Sequence, residues 1–170
     1  SAVAWTLAAM PMAAVVGSLL SGWVSDRFFK GHRSPVAMTL YFLEALVIGT
    51  AAIILLKGLV GPTPAGIIAG CLILILISLT ANSPHSIVGA AAPMDIGGKK
   101  MAGFAAGVID SFQYYGGALS LIITGRVLDA TKEQYGWTFW YAIMAGFGVM
   151  GGIAMYLVMR KQKRMKAAAG

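Results

Sequence analysis

Charge is what this sequence has least of. Lys, Arg, Asp and Glu make up 11% of its 170 residues, against about a quarter in a soluble domain. A globule so short of charge cannot cover itself with polar surface, so something other than water must meet its exterior. Acidic residues are scarcest, at 6 against 13 basic ones. Cysteine occurs once, as Cys71 in an apolar stretch, which excludes an internal disulfide and a thiolate metal cluster. Histidine occurs twice. No spacing of Cys, His or carboxylates suits a metal, and no nucleophile–base pair or cofactor fingerprint is present, so we expect no catalytic residue, metal site or cofactor. Gly97-Gly98-Lys99-Lys100 lacks both the spacing and the preceding strand of a phosphate-cradling loop. The sequence also opens without Met, directly in an apolar stretch that has no basic leader segment. With four more such stretches behind it, that opening does not read as a secretory signal, and we expect a longer parent chain.

What the sequence does have is apolar length: 58% hydrophobic residues and a mean hydropathy of +0.79. The few charges are segregated. Ser1–Ser25, Gly58–Met94 and Gln134–Met159 contain none; Ser34–Leu56 contains only Glu44, and Met101–Gly125 only Asp110. A bilayer core of about 30 Å takes roughly 20 apolar helical residues, and backbone polar groups in lipid must satisfy one another, which favours helices. The sequence therefore predicts an all-α membrane protein with spans at 4–24, 35–56, 65–90, 102–127 and 138–159, followed by a basic tail, 160–170. Gly61-Pro62-Thr63-Pro64 breaks the chain between the second and third spans.

The net charge of +7 does not signal nucleic acid binding, because its placement follows the membrane. Arg27, Lys30 and Arg33 lie between the first two spans, Lys99 and Lys100 between the third and fourth, and Arg160, Lys161, Lys163, Arg164 and Lys166 in the tail. Five spans put these on one side, leaving Lys57, Arg126 and Lys132 on the other. By the positive-inside rule the basic side, with the C-terminus, is cytoplasmic, and the tail is expected to meet anionic lipid. Trp137, Phe139, Trp140 and Tyr141 suit an interfacial aromatic belt. Glycine pairs four apart, Gly66/Gly70, Gly103/Gly107 and Gly148/Gly152, are expected to let helices approach closely.

Polar residues at membrane depth are costly and usually face a cavity or a partner. On the fourth span Gly103, Gly107, Asp110, Tyr114 and Gly117 share one helical face, and Gln113 adjoins it. Asp110 falls about 12 Å into the span. Gly116-Gly117 offers a kink point. On the third span Ser78, Asn82, His85 and Gly89 share a face, beside a helix-breaking Pro84. These residues either line a substrate pathway or bond neighbouring helices. Glu44 either makes a structural hydrogen bond as a protonated or paired carboxyl, or couples transport to protons.

The first loop carries the most specific motif, Gly22-Trp23-Val24-Ser25-Asp26-Arg27-Phe28-Phe29-Lys30-Gly31-His32-Arg33. It resembles the cytoplasmic loop signature of the major facilitator superfamily. Gly17-Ser18-Leu19-Leu20-Ser21-Gly22-Trp23, Ser83-Pro84-His85-Ser86-Ile87-Val88-Gly89 and Gly98-Lys99-Lys100-Met101-Ala102-Gly103 are similar to the organophosphate:phosphate antiporter branch. Ser83 and Phe104 depart from its pattern, where that branch has glycine and threonine. The resemblance covers essentially the whole chain and implies a major facilitator fold in which the five spans are helices eight to twelve of twelve. It implies transport of a small organic anion, most simply exchange of an organophosphate ester for inorganic phosphate by alternating access. A proton-coupled solute symporter and a transporter-like membrane sensor stand as alternatives. It further implies a multi-pass protein of the bacterial inner membrane, completed by an N-terminal half that would supply the primary phosphate ligands. On this reading Asn82, His85, Asp110, Gln113 and Tyr114 belong to the substrate pathway. Gly22, Asp26, Arg27, Gly31 and Arg33 form a conformational gate, Gly22 by letting the helix end approach a neighbour.

Overall fold

Five helices account for nearly all of the chain in the computed structural model, which describes residues 2–30 and 32–169, the side chains at 2, 90, 91, 95–97, 99, 166, 168 and 169 excepted. They are α1 (Ala2–Phe28), α2 (Arg33–Leu56), α3 (Pro64–Ser86), α4 (Ala92–Tyr135) and α5 (Thr138–Ala169), with a π-helical turn, Ile87–Ala91, between α3 and α4. Local chemistry sets the boundaries. Thr63 caps α3 by accepting the Gly66 N–H at 3.1 Å, with Pro64 in the first turn, where a missing N–H costs nothing. Gly58 and Gly136 take φ of 66° and 57° after α2 and α4, left-handed values that suit glycine.

Among the described residues, four stretches are long and apolar enough to cross a membrane: Val3–Phe28, Arg33–Leu56, Pro64–Met94 and Thr138–Met165. The expected fourth span, 102–127, lies within α4 but is not among them. Asp110, Ser111, Gln113 and the two tyrosines Tyr114 and Tyr115 dilute its apolar character. Large apolar side chains point outward, with Trp5 78%, Leu19 70% and Leu121 73% exposed. The interior is built from small residues instead, including Ala37, Ala45, Ala51 and Ala52. That inversion suits helices packed by backbone approach and surrounded by hydrocarbon.

The helices associate chiefly as α2 with α5 and α1 with α3, joined through α2 and α3. At α2–α5, a Cβ added to Gly148 would lie 3.1 Å from Ala45 Cβ, and at Gly152 2.8 Å from the Phe42 ring. This pair of glycines does what their spacing predicts. The other two pairs do not. Gly66 and Gly70 pack on the preceding loop, at Gly61 and Val60, and a Cβ at Gly103 or Gly107 would meet nothing within 4 Å. Gly17 brings α1 against α3: a Cβ there would collide with the Leu79 carbonyl oxygen and approach Ser83 Oγ to 2.8 Å. Ser78 Oγ donates to Met10 O at 2.8 Å across the same interface.

Where the sequence suggests a loop around Gly97–Lys100, the chain is helical on both sides of a reversal at Gly98 (φ 58°, ψ −170°). Gly89 and Asp110 are 21 residues apart in sequence, which a straight helix would spread over about 30 Å. Their contact, described below, requires the chain to double back at Gly98. The helix runs through Gly116-Gly117, so the bend expected there falls at Gly98 instead. The tail is also helical, as the continuation of α5 to Ala169.

Candidate functional site

The π turn lies just after Pro84 in the chain. Proline supplies no N–H to the helix ladder, and the register shifts just after it: the Ala92 N–H bonds Ile87 O, five residues back. Such turns occur mostly as single-turn insertions and often at functional sites. On one side Ile87 packs with Val36 and Ala37, and the cluster extends to Leu40, Val88 and Met155. On the other side Gly89 presents bare backbone to α4. A Cβ at Gly89 would lie 3.2 Å from Gln113 Oε1 and 3.3 Å from Asp110 Oδ1.

Because α4 runs back along α3, His85 meets the next turns of α4. A groove of about 420 Å³ opens there, lined by His85, Gln113, Tyr114, Gly117, Ala118 and Leu121. One end is polar and one apolar. His85, Gln113 and Tyr114 offer hydrogen bonds, while Ala118 and Leu121 extend the wall without any. Of the six lining residues, His85 is the one able to carry positive charge. Among the described residues, buried Gln113 Oε1 has no hydrogen-bond partner. Such an atom costs about 1–3 kcal/mol and calls for a donor from elsewhere, such as a ligand or a moving helix.

The structure thus joins three of the five expected pathway residues, His85, Gln113 and Tyr114, in one groove. Asp110 lies one helical turn away, against Gly89. Asn82 turns its amide to its own helix, donating to Ser78 O at 2.9 Å. The expected common face of Ser78, Asn82, His85 and Gly89 divides: Ser78 bonds α1, Asn82 bonds within α3, His85 faces the groove and Gly89 faces α4. The register shift of the π turn re-aims Gly89, which a uniform helical period cannot anticipate. Ala118 and Leu121 have no polar signature and escape a sequence search for sites. Glu44 lies on α2, whose main partner is α5, and does not line the groove.

The described gate residues lie in the last turns of α1 and at the start of α2. Asp26 and Arg27 are exposed at its end and Arg33 opens α2; Gly31 lies outside the described residues. Lys30 has φ 51°, and the His32 N–H bonds Phe29 O at 2.8 Å, so the reversal is tight. Gly22 departs from expectation: among the described residues, a Cβ there would meet nothing within 4 Å. Within this chain the close approach belongs to Gly17, because α1 turns Gly17 and not Gly22 toward α3.

Comparison with known proteins adds to this geometry. The chain is similar to the glycerol-3-phosphate transporter of Haemophilus influenzae, 29% identical, with 98% of this chain and 35% of the relative covered. It is similar to the membrane sensor protein UhpC of Salmonella typhimurium, 27% identical over 85% of this chain and 29% of the relative. The probable hexose phosphate transport protein of Chlamydia muridarum is 32% identical over 76% of this chain and 26% of its own length. The chain therefore spans about a third, or less, of the curated relatives it matches. No family model and no solved structure matches it. Apolar helices and these relatives, which cover 76–98% of its length, make this a multi-pass membrane chain similar to the organophosphate transporters of the major facilitator superfamily.

Proposed function

We propose that the intact protein exchanges an organophosphate ester for inorganic phosphate by alternating access, and that the α3–α4 groove is this chain's share of the substrate pathway. The observation that carries the proposal is the convergence of His85, Gln113 and Tyr114 on one groove, in a chain whose relatives include named transporters of glycerol 3-phosphate and hexose phosphates. His85 and the Tyr114 hydroxyl supply donors to phosphate oxygens. The Gln113 carbonyl, buried without a donor among the described residues, accepts from a hydroxyl of the organic part. Ala118 and Leu121 offer that part an apolar wall. The full negative charge of a phosphate ester needs more than one histidine, so guanidinium or ammonium groups outside this chain complete the site, supplied by the N-terminal half. Asp110 beside Gly89 would act on the position of Gln113 and not on the anion, which a carboxylate repels.

The spans 4–24, 35–56, 65–90, 102–127 and 138–159 are proposed to cross the inner membrane with the tail, 160–170, in the cytoplasm. α4 then crosses with its polar face turned to the pathway, which is why its apolar content falls short of the other four. Asp26, Arg27 and Arg33 hold the α1–α2 loop at the cytoplasmic surface, where contacts with the other half bias inward against outward states.

Flux through the intact protein in liposomes loaded with labelled phosphate tests this reading. External glycerol phosphate, hexose phosphates or phosphoglycerates should release the label, whether or not a pH gradient is present. Uptake that follows the gradient, with no exchange for any ester, would replace the antiporter with a proton-coupled symporter. A second reading, a sensor, is favoured by the UhpC relatives; saturable ester binding without flux would select it.

A further inference from the structure

Two of the three basic segments on the tail's side of the chain meet at one end of the bundle. Ser34 Oγ, at the start of α2, donates to Gln162 Oε1, in the last turns of α5, at 2.9 Å. They are 128 residues apart in sequence, and Ser34 is buried at 8% exposure. This bond fixes Gln162 level with Arg33, and hence the tail level with the α1–α2 loop. Around it stand Arg27, Lys30, Arg160, Lys161, Lys163 and Arg164, all exposed, and Arg33, half-buried. Across residues 26–34 and 160–164 the sole acidic residue is Asp26.

Depth follows from helix length. Residues 138–159 of α5 cover about 33 Å at 1.5 Å per residue, the thickness of a hydrocarbon core. Residues 160–164 then lie within about 8 Å beyond it, in the headgroup layer. Arg160 stacks on Tyr156, with its guanidinium 5.7 Å from the ring centroid, which holds this cation at the boundary and not free in solution. Lys and Arg stems lie along apolar surface while their heads reach polar groups.

We propose that the α1–α2 loop and the end of α5 form one collar that binds the phosphodiester headgroups of anionic phospholipid, with the Ser34–Gln162 hydrogen bond holding its two halves in register. The loop belongs to the gate assigned under the proposed function, but the lipid site rests on the clamp, the cations and the depth alone. It stands whether the protein carries, exchanges or senses its solute. Its consequence is that anionic lipid restrains the loop through the tail.

Native mass spectrometry of the intact protein, titrated with phosphatidylglycerol or phosphatidylcholine, tests the collar. Phosphatidylglycerol should be retained preferentially. Each cation near an anionic surface is worth about a fivefold change, so Arg160→Gln, Lys161→Gln, Lys163→Gln and Arg164→Gln together should weaken retention at least about tenfold. Lys57→Gln with Lys132→Gln, at the other end of the bundle, should leave it unchanged. Ser34→Ala and Gln162→Ala preserve every charge yet should weaken retention several-fold. Equal retention of the two lipids, or full retention by the quadruple variant, overturns the proposal. So does displacement of the lipid by millimolar inorganic phosphate, which would make this a soluble-anion site. An unaltered clamp variant overturns the joining of the two halves. Phosphate exchange in liposomes is a separate readout, and its absence leaves the lipid result standing.

Discussion

Replacing Gly17 by Ala should separate α1 from α3, whereas the same change five residues on, at Gly22, should do almost nothing. A methyl at Gly17 would overlap the carbonyl oxygen of Leu79 and sit 2.8 Å from Ser83 Oγ, where ordinary contact begins at 3.4 Å. The hydroxyl would have to retreat by about 0.6 Å, but it is held to Leu79 O at 2.8 Å. The carbonyl belongs to the helix backbone and cannot swing aside. The helices must therefore part, weakening the Ser78–Met10 hydrogen bond on the same interface. Overpacking of this kind costs about 1–3 kcal/mol, or roughly a 5- to 150-fold shift in the folding equilibrium. At Gly22 nothing lies within 4 Å, so Ala there should change stability by less than about 0.5 kcal/mol. Unfolding of the intact protein in mixed micelles, titrated with a denaturing detergent, reads both variants on one scale. Equal stability of the two would refute the apposition of α1 on α3 at Gly17.

Gly151→Ala should destabilise by a similar amount, because its Cβ would lie 2.8 Å from the Tyr41 ring; in a Tyr41→Ala background the loss should shrink by more than about 0.5 kcal/mol, and strict additivity would contradict the packing. Ser78→Ala removes one interhelical hydrogen bond and should cost about 0.6 kcal/mol, a small but measurable loss in the same titration. His85→Ala should slow exchange about tenfold or more through loss of a hydrogen bond to a charged ligand, while Asn82→Ala, whose amide is committed to Ser78 O, should leave exchange within about twofold; the reverse order would move the pathway off the groove. The nearest atoms to a methyl in Gly89→Ala are the ends of two flexible side chains, Asp110 and Gln113, so stability should hold within about 1 kcal/mol while the ester concentration for half-maximal exchange changes. An unaltered concentration dependence would argue that the π turn does not position Gln113.

Much of the helical plan was legible because lipid imposes a one-dimensional rule: a span needs length and few charges, and both can be counted. The Thr63-Pro64 start of α3 and the breaks near Gly58 and Gly136 follow from local backbone chemistry. Groove residues were legible to the extent that polar groups at membrane depth are rare, which singled out His85, Gln113 and Tyr114. The same rarity rule selected Asn82, whose amide the fold turns inward to its own helix. It missed Ala118 and Leu121, which line the groove without a polar group. Glycine spacing was an uneven guide. Gly148 and Gly152 meet α2, but a Cβ at Gly103 or Gly107 meets nothing within 4 Å among the described residues, since spacing shows that a helix can be approached without showing by what.

The sequence by itself determined that this is a helical membrane protein, which stretches are apolar and where its cations gather, because each of these depends on residues close together in the chain. Tertiary structure alone decided the rest. It set the reversal at Gly98 that lays α4 along α3, the register shift after Pro84 that turns Gly89 to Asp110 and Gln113, and the Ser34–Gln162 bond across 128 residues. Each depends on the direction a helix takes after a single departure from regular geometry. A small backbone change is carried over many residues of rigid helix, so it decides which distant side chains meet, and local pattern carries no record of that.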